Sequence, residues 1–306
     1  MREFAAEQLG ERGEAGDAQA RHATYFAGLV AAMEPQLRGT EQTRLLRMLE
    51  REHDNLRAVL RLLREQREIV TGMQVAFALW RFWLARGHLR EGQMWLTTFL
   101  GLDREAGEIT PPALRRDVLF AAGRLMHLSG GFSEAQELFT ELLARARVAE
   151  DNENTAAALT QLGVIALAES EHEIAYMYHQ EALSIREMSG DHHAIARALM
   201  NLGQGAVVQG DSYRARAFCL RALTLLREYG DPYNLVTVLR DLGHAALNAR
   251  NIAESRGWYA EGLTIAEELQ APAHIAACIT GVAALAAHEG AYERATPSRG
   301  NRTRIT

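Results

Sequence analysis

Lysine is missing from this chain altogether: all 33 residues in its lysine-plus-arginine count are arginine. A P-loop needs the lysine of G-x-x-x-x-G-K-[ST] to reach nucleotide phosphates, and Schiff-base chemistry needs a lysine amine, so both are excluded. Cysteine is scarce. Cys219 and Cys278 each sit inside an apolar helical pattern, which fits buried free thiols and offers no disulfide framework. The net charge is −6 with both signs interspersed, leaving no basic stripe to displace counterions, and this argues against direct nucleic-acid binding. No apolar run reaches the ~20 residues needed to span a bilayer. Residues 1–9 are charged and amphipathic, without the basic-then-apolar order of a signal peptide, so the expected compartment is the cytoplasm.

Recognisable chemistry is also missing. Glu171, His172 and Glu173 with His179, and the pair His192 and His193, lack the His-Glu-x-x-His or paired-cysteine spacing that puts metal ligands on one face. Gly203, Gln204 and Gly205, with Gly210 further on, echo a dinucleotide loop, but no strand precedes them and they fall within a helical pattern. No Gly-x-Ser-x-Gly elbow or catalytic cysteine neighbourhood occurs. No catalytic residue, cofactor or metal site is expected. The sequon at Asn301 to Thr303 has no consequence in a cytoplasmic chain.

What the sequence does contain is a period. Gly123, Gly163, Gly203 and Gly243 stand 40 residues apart, with Ala283 on the next step, and Leu162, Leu202 and Leu242 precede three of them. Twelve residues after each comes a small residue: Ala135, Ala175, Ala215, Ser255 and Ala295. Leu143, Leu183, Leu223 and Leu263 follow at twenty, and Asp151, Asp191 and Asp231 separate the units. A glycine in one helix facing an alanine in the next lets two helices approach closely, and an aspartate can cap the helix that follows. Gly130, Gly210 and Gly290 stand where a first helix is expected to stop. Leu159, Leu162, Ile165 and Ala166 share one face at helical spacing, and strand-like alternation is nowhere sustained. The pattern predicts an all-α solenoid of helix hairpins resembling the tetratricopeptide repeat, whose own unit is about 34 residues.

Units are expected at 113–150, 151–190, 191–230 and 231–270, with an incomplete one at 271–295 and a disordered tail at 296–306. Upstream, residues 71–110 read as a divergent first hairpin in which Trp80 takes the place of the glycine. The stretch from Gly101 to Pro112 is expected to break the helical pattern. Residues 1–70 form a separate helical region, where Leu45, Leu49, Leu56, Leu60 and Leu63 make a helical stripe and residues 61–68 a solvated charged face.

Several stretches here carry a resemblance: residues 2–5 (REFA), 21–26 (RHATYF), 35–39 (PQLRG), 52–58 (EHDNLRA), 79–84 (LWRFWL) and 86–89 (RGHL). Together they are similar to the region of actinobacterial LuxR-type and related STAND-class ATPase regulators that links the nucleotide-binding and winged-helix modules to the C-terminal repeats. The resemblance runs from about Arg2 to Ala295. It implies a sensor or protein-interaction domain that receives an inducer, peptide or partner protein and docks on an ATPase and DNA-binding module. ATP hydrolysis and promoter recognition belong to modules this sequence lacks. A free-standing repeat scaffold is the alternative.

Mapped by resemblance to tetratricopeptide domains, the polar groove candidates are Arg124, His127, Gln204, Arg240, His244 and Asn248. Phe120, Val164, Leu167, Met200, Val207 and Leu247 are their apolar neighbours. Arg240 and His244, one helical turn apart, are expected to be exposed and able to hold an acidic group. At the C-terminal end, a helix at 273–288 carries Ile275, Ile279, Val282 and Leu285, and its expected partner is cut short by Pro297. Those side chains are expected to lack cover, favouring fraying or self-association through this end.

Overall fold

Backbone turns recur with the period of the sequence. Residues with positive φ fall at Gly130, Ser170, Gly210 and Arg250, and again at Glu150, Gly190, Gly230 and Gln270, each series in steps of forty. At the first series the chain closes a helix by a six-residue hydrogen-bonded loop, as in Asp211 N to Ala206 O at 2.9 Å and Asn251 N to Ala246 O at 2.8 Å. The following residue then starts the next helix. Asp151, Asp191, Asp211, Asp231 and Asn251 each accept a hydrogen bond from the backbone N–H three residues on, at 2.9 to 3.3 Å. Three of these capping residues are the expected aspartates; Asp211 and Asn251 do the same inside the hairpins.

The computed structural model of the chain describes residues 15–39 and 41–295. Residues 2–5, the sequon at 301–303, Pro297 and the 296–306 tail lie outside the described residues. Among the described residues there is no strand, and fourteen α-helices follow one another: α1 Ala15–Met33, α2 Gln42–Arg51, α3 His53–Glu65, α4 Ile69–Arg86, α5 Leu89–Glu105, α6 Pro112–Leu128, α7 Phe132–Val148, α8 Asn152–Ala168, α9 His172–Ser189, α10 His192–Val208, α11 Ser212–Tyr229, α12 Pro232–Asn248, α13 Ile252–Glu268 and α14 Pro272–Ala295. A short 3₁₀ turn, Glu34–Arg38, follows α1. None of these helices is long and apolar enough to cross a membrane.

Two units, Met1–Gln161 and Leu162–Thr306, divide the chain within α8. In the first, α1 packs on α3 and α4, and α4 to α7 pack as successive neighbours. The leucine stripe is buried as expected but belongs to two helices, α2 and α3, which break at Glu52. Trp80 stands seven residues before the left-handed Gly87, as Gly123 stands before Gly130, and its buried ring meets Phe120 edge-on at 6.2 Å. One expectation is corrected here for a local reason. Gly101 does not end α5, because Leu100 and Asp103 are buried on its face and hold the helix together to Glu105. Across the break that follows, at 106–111, Asp103 of α5 is buried against Arg115 and accepts the Thr110 N–H at 2.9 Å, while Pro112 supplies the first turn of α6.

The second unit stacks α9 to α14 as adjacent pairs. Its signature glycines are seats, but alanine is not what fills them. A Cβ on Gly163 would stand 2.5 Å from the His179 ring, on Gly203 2.5 Å from the Cys219 thiol, and on Gly243 2.6 Å from the Tyr259 ring. Gly123 in the first unit meets Phe139 in the same way. The partner is therefore the residue sixteen positions on, one helical turn beyond the expected small residue. Ala135, Ala175, Ala215 and Ser255 are buried beside the seat, and Ser255 Oγ donates to the Gly243 carbonyl at 2.9 Å.

This geometry separates two neighbouring glycines. Gly203→Ala is expected to cost about 1–3 kcal/mol by overpacking against Cys219. Gly205→Ala, where an added methyl finds only Leu167 at 3.6 Å, is expected to stabilise by about 1 kcal/mol through helix propensity. Urea unfolding of both variants checks the pair; equal effects would contradict the seat.

The last helix departs from expectation in two respects: it does not stop at Gly290, and two of the side chains expected to lack cover have it, Leu285 being buried and Ile275 packed on the core. Gly290 does not end a first helix, and α14 continues as a single helix to Ala295. Its inner face is covered: Cys278 and Leu285 are buried, and Gly281 lies against the Tyr259 ring. Its outer face is not. Ile279 and Val282 are 54% and 41% exposed, whereas Leu239 and Leu242, forty residues earlier, are 0% and 1%.

Candidate functional site

In the Leu162–Thr306 unit, Gln204 on α10 and His244 on α12 hold the same register position in successive hairpins. Arg240, His244 and Asn248 follow at four-residue spacing and so form a stripe along α12. Gln204 and Asn248 are exposed. Arg240 and His244 are not the free side chains the sequence led us to expect. The Arg240 guanidinium donates to Asp241 Oδ1 from two nitrogens, at 3.0 and 2.8 Å, and is the charge that compensates this buried carboxyl. His244 Nδ1 pairs with the Tyr259 hydroxyl at 2.9 Å, and the two rings meet edge-on. His244 is half-buried because the sixteen-residue partner of Gly243 is a tyrosine, whose hydroxyl reaches the first helix, and Arg240 is half-buried against Asp241. Alanine at Arg240 or His244 would therefore disturb the fold as well as the surface. Of the apolar neighbours in this unit, Leu247 is buried core, while Val164, Leu167, Met200 and Val207 are half-buried.

The electrostatics of this cluster are those of a neutral framework. Burial pushes the Asp241 carboxyl up, against the Arg240 charge, and pushes His244 down. Burial raises the Cys219 thiol and the Tyr259 hydroxyl to about 12 each, and also raises Cys278, so neither thiol supplies a thiolate nucleophile near neutral pH. The arrangement can present a guanidinium edge, two amides and an imidazole to a passing chain.

The other two candidates belong to the Met1–Gln161 unit. Arg124 donates to Gln161 Oε1 at 2.7 Å, and half-buried His127 packs edge-on against Phe132, with burial lowering its pKa. Phe120 is half-buried between Trp80 and Phe139.

A further cluster in this unit was not foreseen from the sequence. Glu50, His53 and His88 each place a possible ligand atom within 4.8 Å of the others. Every one of them already has a partner. His53 Nε2 meets Glu91 Oε1 at 3.1 Å, His88 Nε2 meets Glu50 Oε1 at 3.4 Å, and Arg57 grips Glu91 at 2.9 and 2.7 Å. Arg86 adds a second positive charge 3.5 Å from Glu50. Two arginines beside the carboxylates disfavour a divalent cation, so the cluster reads as a polar clasp between α3 and α5. His53 and Arg57 of the 52–58 stretch hold Glu91 of α5, and Arg86 and His88 of the 86–89 stretch hold Glu50 of α2. A histidine in each stretch, with a glutamate three residues after His88, was the available signal.

No family model matches the chain. Over 100 residues, a third of this chain, it is 40% identical to a protein of Mycobacterium tuberculosis named for an HTH-type transcriptional regulator. That stretch is only 11% of the length of the mycobacterial protein. Among solved structures, the chain is similar to a STAND protein with a tetratricopeptide repeat sensor from Pyrococcus horikoshii, at TM-score 0.62 and 16% identity, covering 80% of this chain and 38% of that one. It is also similar to the quorum sensor NprR from B. thuringiensis, at TM-score 0.61 and 15% identity, covering 90% of this chain and 76% of that one. The fold is that of the tetratricopeptide-type α-solenoids.

Proposed function

We propose that this chain is the sensing arm of a bacterial transcriptional regulator of the STAND and LuxR-like kind. It captures a peptide or protein segment on the first-helix face of the Leu162–Thr306 unit and carries out no chemistry of its own. The observation that carries this reading is the polar stripe of Gln204, Arg240, His244 and Asn248, whose two central members are pinned in place by Asp241 and Tyr259. Pinned side chains lose little entropy on binding, which favours recognition of an extended chain. The identity with the mycobacterial regulator supports the regulatory setting. The tetratricopeptide repeat sensor of the Pyrococcus protein and the likeness to the quorum sensor NprR support the mode of action. Occupancy of the stripe would bias a docked ATPase module between two states by its differential affinity for them. The uncovered outer face of α14 supports contact with a further helical surface, a second copy included, at that end.

Peptides selected against the purified chain from a random displayed library test this reading. Binders in the micromolar range are expected, and the double substitution Gln204→Ala, Asn248→Ala is expected to weaken them about tenfold. Both residues are exposed, so stability should stay within about 0.5 kcal/mol. Selection of no peptide, or peptides that bind the double variant equally well, would sink the proposal.

A further inference from the structure

Charge in the Leu162–Thr306 unit is sorted by helix. Glutamates lie along the second helices α9, α11 and α13, and three of them pair with arginines of a neighbouring second helix: Glu187 with Arg221 at 2.8 Å, Glu254 with Arg216 at 3.2 Å, and Glu261 with Arg227. That face compensates its own charge. The first helices α10 and α12 differ, because between them they hold a single carboxylate, Asp241, and it is buried and gripped by Arg240. Neither helix shows an acid to solvent. Arg197 of α10 is exposed and forms no ion pair among the described residues. The nearest acid in sequence, Asp191, caps α10 a turn and more away and accepts the Ala194 N–H at 3.1 Å.

Aliphatic surface continues from Arg197 along the same helix. Met200, Gln204 and Val207 follow it at spacings of three, four and three residues, which puts all four on one face of α10. Met200 and Val207 are half-buried, and Val208 beside them is 60% exposed. On α8, half-buried Val164 and Leu167 hold the register positions of Gln204 and Val207. Arg197 and Val207 stand about 15 Å apart along the helix. An extended chain covers that span in about five residues.

We propose that the segment captured on this face is acidic and aliphatic: Arg197 takes a carboxylate, and aliphatic side chains within about five residues of it lie over Met200, Val207 and Leu167. This names the ligand class of the capture reading above and rests on it. The carboxylate belongs either to an aspartate or glutamate side chain or to a chain terminus. A guanidinium holds either one through paired N–H donors, and no exposed acid on α10 or α12 competes for it. The half-buried aliphatic side chains give the rest of the segment apolar area to cover. Arg197 thus sets the sign of charge that the face accepts.

Parallel selection of randomly displayed peptides against the chain and against Arg197→Glu tests the assignment. Binders of the unaltered chain are expected to be enriched in aspartate and glutamate over the unselected library, with aliphatic residues close by. Binders of Arg197→Glu are expected to lose the acid and gain lysine or arginine. For one synthetic binder, Arg197→Gln should weaken affinity about threefold and Arg197→Glu about tenfold, the effect of an exposed ion pair first lost and then reversed. Replacing the peptide's acid by lysine should restore binding to Arg197→Glu. Amidation of the C-terminus, set beside conversion of the side-chain acid to its amide, tells a terminal carboxylate from a side-chain one. Both variants should unfold in urea as the unaltered chain does, since Arg197 is exposed. Should Arg197→Glu misfold, the neutral Arg197→Gln carries the test. Selection of no binder overturns this proposal together with the capture reading. Binders without acids, or acidic binders indifferent to the Arg197 variants, overturn this proposal alone.

Discussion

Arg115→Met is expected to lower the stability of the Met1–Gln161 unit by about 3–5 kcal/mol, because it strands a buried carboxylate. Asp103 is fully buried; its two partners are the Arg115 guanidinium and the Thr110 N–H at 2.9 Å. Arg115 also reaches Glu108 and Glu141, each at 3.2 Å, so it ties α5, the 106–111 connection, α6 and α7 into one junction. Methionine replaces the aliphatic stem but not the charge. Adding Asp103→Asn removes the stranded charge and keeps an oxygen for the Thr110 N–H, so the double variant should recover most of the loss. Urea unfolding measures both. A loss under about 1 kcal/mol for Arg115→Met would mean that Asp103 escapes to solvent.

The second large effect is acid destabilisation of the Leu162–Thr306 unit. The His179 pKa falls from 6.5 in the unfolded chain to about 4 in the folded one, because burial disfavours the imidazolium. The folded state therefore binds fewer protons between these values. This contribution is fully present above pH 6.5 and is lost as the pH falls toward 4. It amounts to about 3 kcal/mol, at ~1.36 kcal/mol per pH unit. His244 is lowered by burial as well and adds a smaller slope of the same sign. His179→Phe, which installs the residue found at Phe139, should flatten the dependence between pH 6.5 and 4. An unchanged slope in that variant would place the acid sensitivity elsewhere.

Much of this architecture can be read from the sequence because its determinants are local. An aspartate capping the next helix, a glycine at a left-handed turn and an apolar stripe at helical spacing all act within a few residues, and the forty-residue period repeats each signal. The failures are tertiary. That Gly243 receives Tyr259 and not Ser255 depends on where the second helix crosses the first, which periodicity does not reveal. Gly203 and Gly205 look alike in the sequence, yet an added methyl would collide with Cys219 at one and meet only Leu167, at 3.6 Å, at the other. Turns formed by Glu150, Ser170, Arg250 and Gln270 carry no glycine signal, although their φ angles are positive.

The candidate site was legible as positions and illegible as partnerships. Gln204 and Asn248 lie exposed on the first helices, as their register predicts. Arg240 and His244 were expected to be free, because the reach of Tyr259 and the burial of Asp241 are invisible in a one-dimensional pattern. The same blindness hid the clasp of Glu50, His53, His88 and Glu91, whose members are spread over about forty positions.

Hydrogen–deuterium exchange of the chain with and without a library-selected peptide tests the sensing role most directly. Slowed exchange is expected on α10 and α12, around residues 200–208 and 240–248, with α11 and α13 unchanged. Protection confined to α11 and α13, or to α14 alone, would contradict capture on the first-helix face.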